Sequence, residues 1–182
     1  MAEGQFRPDT VFLDRDGVIN RKAPEGSYVT RWEEFEFLPG SLDALRELAE
    51  AGIGVIVVTN QRGIARGRLS EADLAGIHAR MLAAVDSTGG RIAAIYHCPH
   101  EGGCHCRKPA PGMLRRAAAE LGFELERTAM IGDRTHDMEA AAAVGAMQVL
   151  VGDEERDPPP VTHAAPDLLA ATRWLTGLAA RG

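Results

Sequence analysis

The chain has 182 residues, of which 45% are hydrophobic and 25% charged, and its formal net charge at pH 7 is −6. These values are typical of an ordinary globular protein and argue against wholesale disorder. The acidic balance argues against a nucleic-acid partner, because proteins that bind phosphate backbones usually carry a positive surface. A small phosphorylated substrate remains compatible with this charge.

The N-terminal residues MAEGQFRPDT contain no apolar core of the kind found in signal peptides. The longest apolar run, IGVIVV, is too short to cross a bilayer. We therefore expect a cytoplasmic protein with no membrane contact. We also expect one domain over residues 1–182, acting as a monomer, since domains commonly contain about 50 to 250 residues.

Strand-forming runs alternate with helical segments along the chain. The predicted strands are 10–14, 53–59, 92–97 and 128–133, with 147–151 as a possible fifth. Ser41 is predicted to cap the first helix and Ser70 to open the second. The remaining helices are predicted after Pro111, from about 135 to 145, and around 167–180. Apolar strands that alternate with helices predict a parallel sheet covered on both faces. The fold class is therefore α/β, a Rossmann-like three-layer α/β/α sandwich with a mostly parallel sheet.

Two connections differ from the rest. Residues 18–38 form a long insert that contains Tyr28, Trp32, Phe35 and Phe37, and the alternation in FEF predicts a small hairpin or flap. The acidic, proline-rich stretch 152–160 is expected to be an exposed connection.

Three apolar strands finish in a polar residue, namely Asp14, Thr59 and Asp133. In a parallel sheet these ends share one edge, and ligands of open α/β sheets bind outside that edge. Asp16 lies two residues after Asp14, so both side chains project from one face while the strand continues. Carboxylates gathered in a partly buried cleft repel one another unless a cation is present, and Mg²⁺ favours carboxylates combined with phosphate oxygens.

Thr59 and Lys108, from the loop after the third strand, can reach the same crevice. A hydroxyl and an ammonium around one phosphoryl group supply the charge stabilisation that phosphoryl transfer needs. Asp14 can then attack phosphorus to form an aspartyl-phosphate, while Asp16 protonates the leaving oxygen and later activates water. Taken singly, each of these residues has an ordinary structural interpretation as a cap, a turn residue or a surface charge, so the joint pattern carries the prediction.

Four stretches resemble, in order, the motifs of the haloacid dehalogenase (HAD) superfamily of phosphohydrolases. They are FLDRDG (12–17), VVTNQRGIARG (57–67), CRKP (106–109) and MIGDRTHDM (130–138). This resemblance implies the roles given above for Asp14, Asp16, Thr59 and Lys108. It also implies that Asp14, Asp133 and the carbonyl of Asp16 bind Mg²⁺, and that Asp137 supports the fourth motif or caps a helix.

Within the superfamily, TNQRGIARG and the cysteine-rich loop are most similar to the heptose bisphosphate phosphatases, with the histidinol-phosphate phosphatases as close relatives. Both groups lack a large cap domain, in agreement with the short spacing between the first two strands. The resemblance implies removal of the 7-phosphate of a heptose 1,7-bisphosphate. The implied substrate contacts are Asn20, Asn60, Gln61, Arg62, Arg107 and Arg134.

All three cysteines lie in CPHEGGCHCRKP (98–109). Cys98, His100, Cys104 and Cys106 offer one imidazole and three thiolates, the donor set of a closed structural zinc site. A zinc-binding loop over 98–107 would position Arg107 and Lys108. His97 or His105 could replace His100 as the nitrogen ligand, and a redox pair of Cys104 and Cys106 is the rival interpretation.

Three other functions remain open at this point. Histidinol phosphate is the nearest alternative substrate. A polynucleotide 3′-phosphatase would share the second motif, but the acidic charge opposes it. A phospho-accepting receiver module would also use Asp, Thr, Lys and Mg²⁺, but in a different order along the chain.

Overall fold

A computed structural model of the chain describes residues 6–153 and 159–178. The strands are β1 (Thr10–Leu13), β2 (Gly54–Asn60), β3 (Ala94–Cys98), β4 (Thr128–Gly132), β5 (Met147–Val151) and β6 (His163–Ala165). The helices are α1 (Ser41–Glu50), α2 (Glu71–Ser87), α3 (Gly112–Leu121), α4 (Thr135–Ala142) and α5 (Leu168–Thr176). Strands and helices alternate as the hydrophobic pattern predicts.

The strands form one sheet in the order β3-β2-β1-β4-β5-β6, and each neighbouring pair is parallel. β1 lies at the centre, with Leu13 in register with Val57 of β2 and Ile131 of β4. The residues that follow β1 therefore emerge beside the ends of β2 and β4, as the predicted edge site requires.

Alternate residues of each central strand enter two separate cores, as the two-residue period of a strand dictates. Val11, Leu13 and Val57 pack with α1, α2 and α5 on one face of the sheet. Phe12 and Val58 pack with α3 and α4 on the other. The molecule is therefore the predicted three-layer α/β/α sandwich.

Several local predictions need correction. The sequence pattern did not predict β6, a strand of three residues that extends the sheet beyond β5. Ser70 caps α2 through Asp73, but Ser41 does not cap α1: its hydroxyl donates to the carbonyl of Leu38, and Gly40 occupies the cap position with a positive φ. Helix α4 ends at Ala142, before the predicted 145.

The insert at 18–38 forms less regular structure than the predicted hairpin. Asn20 and Phe37 make a single antiparallel bridge, and a short 3₁₀ turn covers Trp32–Glu34. Trp32 stacks on Phe35, and Phe37 meets both rings edge to face. The three rings also pack against the core of the sheet, so ring packing replaces strand pairing here. Of the predicted exposed connection at 152–160, residues 154–158 lie outside the described part of the chain.

Within the described ranges, no helix combines the length and apolar character needed to cross a membrane.

Candidate active site

A crevice of about 240 Å³ opens at the carboxyl edge of the sheet. The predicted site residues that line it are Asp14, Asp16, Thr59, Asn60, Arg62, Arg107, Asp133 and Arg134. Lys22, Tyr28 and His136 complete its wall. Side chains from four separate stretches of sequence thus meet at one place, because the parallel strands β1, β2, β3 and β4 end at the same edge.

Asp14 lines the crevice, and the buried side chain of Lys108 contacts it. The Lys108 ammonium is 3.1 Å from Asp14 Oδ1, 2.7 Å from Asp137 Oδ1 and 2.8 Å from the carbonyl oxygen of Val58. Burial, reinforced by the neighbouring carboxylates and opposed by the Lys108 charge, raises the pKa of Asp14 to about 7. Burial opposes the charge of Lys108, but Asp137 and Asp14 outweigh it and raise the pKa of this lysine.

Asp137 performs both of the roles that the sequence left open. One carboxylate oxygen contacts the Lys108 ammonium, and the other accepts a hydrogen bond from the Arg134 backbone N–H at the start of α4. The same side chain therefore anchors the lysine and caps the helix. Gly132 is required beside it, since a Cβ at that position would collide with the Asp137 side chain.

Donors surround the Asp16 carboxylate on several sides. Arg15 Nη2 lies 2.9 and 3.1 Å from its two oxygens, while the amides of Asn20 and Gln61 each donate at 3.0 Å. Burial opposes ionisation of Asp16, but the Arg15 charge and these hydrogen bonds outweigh it and lower the pKa of the carboxyl. Asp16 is thus held as an oriented carboxylate.

The predicted substrate contacts fall into two groups. Asn20 and Gln61 are buried, and their amides donate to the Asp16 carboxylate, so both side chains have a partner within the protein. Their assignment as direct substrate contacts stays a prediction. Gln61 also donates to Thr59 Oγ1 at 2.9 Å, so it orients two side chains of the crevice. The amide of Asn60 exchanges two hydrogen bonds of 3.1 Å with the Lys108 backbone and fixes the loop that carries this lysine.

Arginines form the second group, at the mouth of the crevice. Arg62, Arg107 and Arg134 line it together with Lys22. A larger cavity of about 980 Å³ adjoins the crevice and shares Lys22, Asp133 and Arg134 with it. The positive charge at the mouth is therefore suited to bind an anionic group, separate from any group that binds beside Asp14.

Asp133 has the surroundings expected of a cation ligand. It is 4% exposed, its Oδ1 has no hydrogen-bond partner, and its other oxygen pairs with Lys22. Burial raises the pKa of Asp133 against the charge of Lys22. An unpartnered buried carboxylate oxygen next to Asp14 fits the hard, oxygen-preferring ion Mg²⁺.

A second group of possible donors, Asp14, His136 and Asp137, does not form a comparable cation site. The Lys108 ammonium already contacts both carboxylates of this group, so it supplies their counter-charge.

The cysteine-rich loop brings four donor atoms together. Cys98, His100, Cys104 and Cys106 each place one ligand atom within 4.8 Å of all the others. His100 Nδ1 lies 3.5 Å from the Cys98 sulfur and 3.2 Å from that of Cys106. His97 instead contacts Glu71, which favours His100 as the nitrogen donor. Three sulfurs and one imidazole converging on a point fit zinc.

Sequence reasoning missed several side chains of the site. Lys22, Arg15 and His136 were not predicted there. Lys22 lies in the insert, where no periodicity indicates a direction, and Arg15 is hidden between the two motif aspartates. Only the position of His136 within GDRTHDM, at the start of α4, offered a signal.

The chain is similar to known phosphatases over most of its length. The HAD-hydrolase-like family model matches residues 105–173. A D-glycero-beta-D-manno-heptose-1,7-bisphosphate 7-phosphatase of Pseudomonas putida is 45% identical over 173 residues, covering 91% of this chain and 98% of the relative. The enzyme of the same name from Escherichia coli K12 is 39% identical, with 85% of each chain covered.

Solved structures give the same result. The D,D-heptose 1,7-bisphosphate phosphatase of B. bronchiseptica, complexed with magnesium and phosphate, superposes with a TM-score of 0.85 at 38% identity, covering 92% of this chain and 97% of the other. The corresponding phosphatase of Burkholderia thailandensis has a TM-score of 0.71 at 31% identity, with 93% and 99% covered. The shared fold, the ordered motifs and this degree of identity show that the chain belongs to the heptose-1,7-bisphosphate 7-phosphatase family of HAD-like phosphatases.

Proposed function

We propose that this phosphatase removes the 7-phosphate of D-glycero-β-D-manno-heptose 1,7-bisphosphate and releases the 1-phosphate. The observation that carries the proposal is the buried arrangement of Asp14, Lys108 and Asp133 at the sheet edge, with arginines at its mouth. The centre is suited to one phosphoryl group and the mouth to a second anion. The family relationship supports the identity of the sugar.

Mg²⁺ fits the carboxylates of Asp14 and Asp133 together with the carbonyl of Asp16. When bound, it would neutralise these carboxylates and orient the phosphate that is transferred. The unpartnered oxygen of Asp133 supports this assignment.

In the first step, a carboxylate oxygen of Asp14 attacks phosphorus and the bond from phosphorus to the sugar oxygen breaks. Lys108 and the Thr59 hydroxyl stabilise the charge on the transferred group. Asp16 donates a proton to the leaving sugar oxygen. The negative phosphate beside Asp16 favours the protonated form that this donation requires.

In the second step, water attacks the phosphorus of the aspartyl-phosphate on Asp14. Asp16, now ionised, accepts the proton of that water, and Asp14 and inorganic phosphate are released. The bidentate Arg15 contact and the amides of Asn20 and Gln61 hold Asp16 in the orientation that both proton transfers need.

The cysteine-rich loop is proposed to bind structural Zn²⁺ through Cys98, His100, Cys104 and Cys106. A closed site of this kind organises a glycine-rich loop that has little apolar surface to bury. Since Arg107 and Lys108 follow the last cysteine directly, order in the loop fixes both of them.

Arg62, Arg107 and Arg134 are proposed to bind the 1-phosphate and the sugar hydroxyls. Planar guanidinium groups recognise phosphate oxygens in pairs. We further propose that the enzyme acts as a monomer in the cytoplasm, where reducing conditions suit the three free cysteines.

Comparison of kcat/KM for heptose 1,7-bisphosphate and histidinol phosphate tests the substrate, with ³¹P NMR to identify the remaining phosphate. We expect a preference of at least about 100-fold for the bisphosphate, the size of effect that a lost charged contact of about 3 kcal/mol produces. Equal kcat/KM values, or release of the 1-phosphate, would refute the proposed substrate or position.

A further inference from the structure

Arg15, between the two motif aspartates, is a charged side chain enclosed by protein. It is 1% exposed, and its guanidinium carbon lies 5.8 Å from the centre of the Phe35 ring. Its Nε and Nη2 groups both donate to Asp16. A buried guanidinium needs partners for its remaining donors, because each unsatisfied one is costly.

His78 of α2 provides the partner for the third nitrogen. Its Nε2 lies 3.2 Å from Arg15 Nη1. Because arginine has no acceptor, this contact requires an unprotonated Nε2 that accepts the hydrogen bond. Burial, together with the charge of Arg15, lowers the pKa of His78 to about 3, in agreement with a neutral ring.

The position of His78 is otherwise an apolar one. It lies on the buried stripe of α2 with Leu74, Ile77 and Met81, and it is 8% exposed. Packing alone calls for a hydrophobic residue there. The histidine therefore adds a directed hydrogen bond to a guanidinium whose other two nitrogens contact Asp16.

We propose that His78 is a positioning residue, which acts through Arg15 to align the Asp16 carboxyl for proton transfer. This inference rests on the proposed function, specifically on Asp16 as the group that protonates the leaving oxygen. Arg15 is held by His78 on one side and contacts Asp16 on the other, while Asn20 and Gln61 fix the carboxylate independently. Loss of His78 should therefore misalign Arg15, one of the three side chains that donate to Asp16, without changing the residues that line the crevice.

The test compares two phosphate esters, one whose leaving oxygen needs a proton from an acid and one whose leaving oxygen does not. The heptose oxygen must be protonated as it leaves, whereas p-nitrophenolate departs without a proton. Values of kcat/KM for heptose 1,7-bisphosphate and p-nitrophenyl phosphate report the phosphorylation step for each. The variants are His78→Leu, which removes the acceptor, His78→Gln, whose amide oxygen can replace Nε2, and Asp16→Asn as the reference for a lost acid.

For His78→Leu we expect kcat/KM to fall by about 10- to 100-fold on the heptose ester and by less than about threefold on the aryl ester, the range that misalignment of a proton donor produces. His78→Gln should recover most of this loss. Equal losses on both esters, or a glutamine variant as impaired as the leucine variant, would overturn the inference in favour of a structural role. His78→Met serves the same comparison if the leucine variant is not recovered folded.

The Asp16→Asn variant distinguishes a failed role for His78 from a failed role for Asp16. If Asp16→Asn lowers kcat/KM equally for both esters, Asp16 is not the acid and the proton-transfer step of the proposed function fails. If Asp16→Asn is selective and His78→Leu is not, only the role of His78 fails.

Discussion

Replacing Asp14 by asparagine is expected to stabilise the Mg²⁺-free protein while abolishing its activity. Asp14 is 7% exposed, and burial, opposed by Lys108 and reinforced by the nearby carboxylates, raises its pKa to about 7 from an ordinary value of 3.8. Between these pH values the folded protein binds a proton that the unfolded chain has released. Stability of the wild type therefore falls as pH rises through this window.

The size of the effect follows from the two pKa values. Their difference corresponds to an upper limit of about 4 kcal/mol of destabilisation at pH 8, at roughly 1.4 kcal/mol per pH unit, and to about 2 kcal/mol at pH 5. Asparagine carries no charge, so its advantage over aspartate should grow between pH 5 and pH 8. We expect a net gain of about 1–3 kcal/mol at pH 8, because the amide pairs less well than the carboxylate with Lys108.

Urea denaturation of both proteins at pH 5 and pH 8, in Mg²⁺-free buffer with zinc retained, measures this difference. A variant that is less stable than wild type at pH 8, or a gain that does not change with pH, would refute the reasoning. Added Mg²⁺ provides the control. At about 100 times its Kd it should stabilise the wild type by about 2.7 kcal/mol and the variant by less.

Three further outcomes are expected. Lys108→Met should lower kcat by about 10³-fold, since it removes a charge at the transferred phosphoryl group, and a variant retaining a tenth of wild-type kcat in steady-state assays would contradict this role. Cys104→Ser should lose zinc by elemental analysis and lower both Tm and kcat; full zinc content with unchanged kcat would contradict the structural metal. Arg107→Ala should raise KM for the bisphosphate by about 10- to 100-fold, as loss of a charged hydrogen bond predicts. The control is Arg91→Ala, which should leave KM unchanged because Arg91 is exposed and precedes β3, at the end of that strand opposite to the crevice. Equal effects of the two substitutions would place the second phosphate elsewhere.

The sequence predicted the sheet and its catalytic edge because both follow from strong local patterns. Apolar strands alternating with helices leave few arrangements other than a parallel sheet, and Asp14, Thr59 and Asp133 stand where such strands end. The donor spacing around Cys98 and Cys106 was equally local. These predictions did not depend on the orientations of side chains that are distant from one another in sequence.

The contacts behind the crevice could not be predicted in this way. His78 sits in an apolar stripe and looks like a core position until Arg15, 63 residues earlier, is seen to donate to it. Gln61 was predicted as a substrate contact because it belongs to the second motif, but the pattern gave no sign that its amide donates to Asp16. The insert containing Lys22 follows no period, so its ion pair with Asp133 depends on tertiary packing alone.

Trapping the covalent intermediate tests the central claim most directly. Acid quenching of the enzyme during turnover of heptose 1,7-bisphosphate, followed by borohydride reduction and peptide mass spectrometry, converts an aspartyl-phosphate to homoserine at its position. We predict homoserine at position 14 in the wild type and none in the Asp14→Asn protein. Turnover without modification at position 14, or homoserine at another aspartate, would contradict the account.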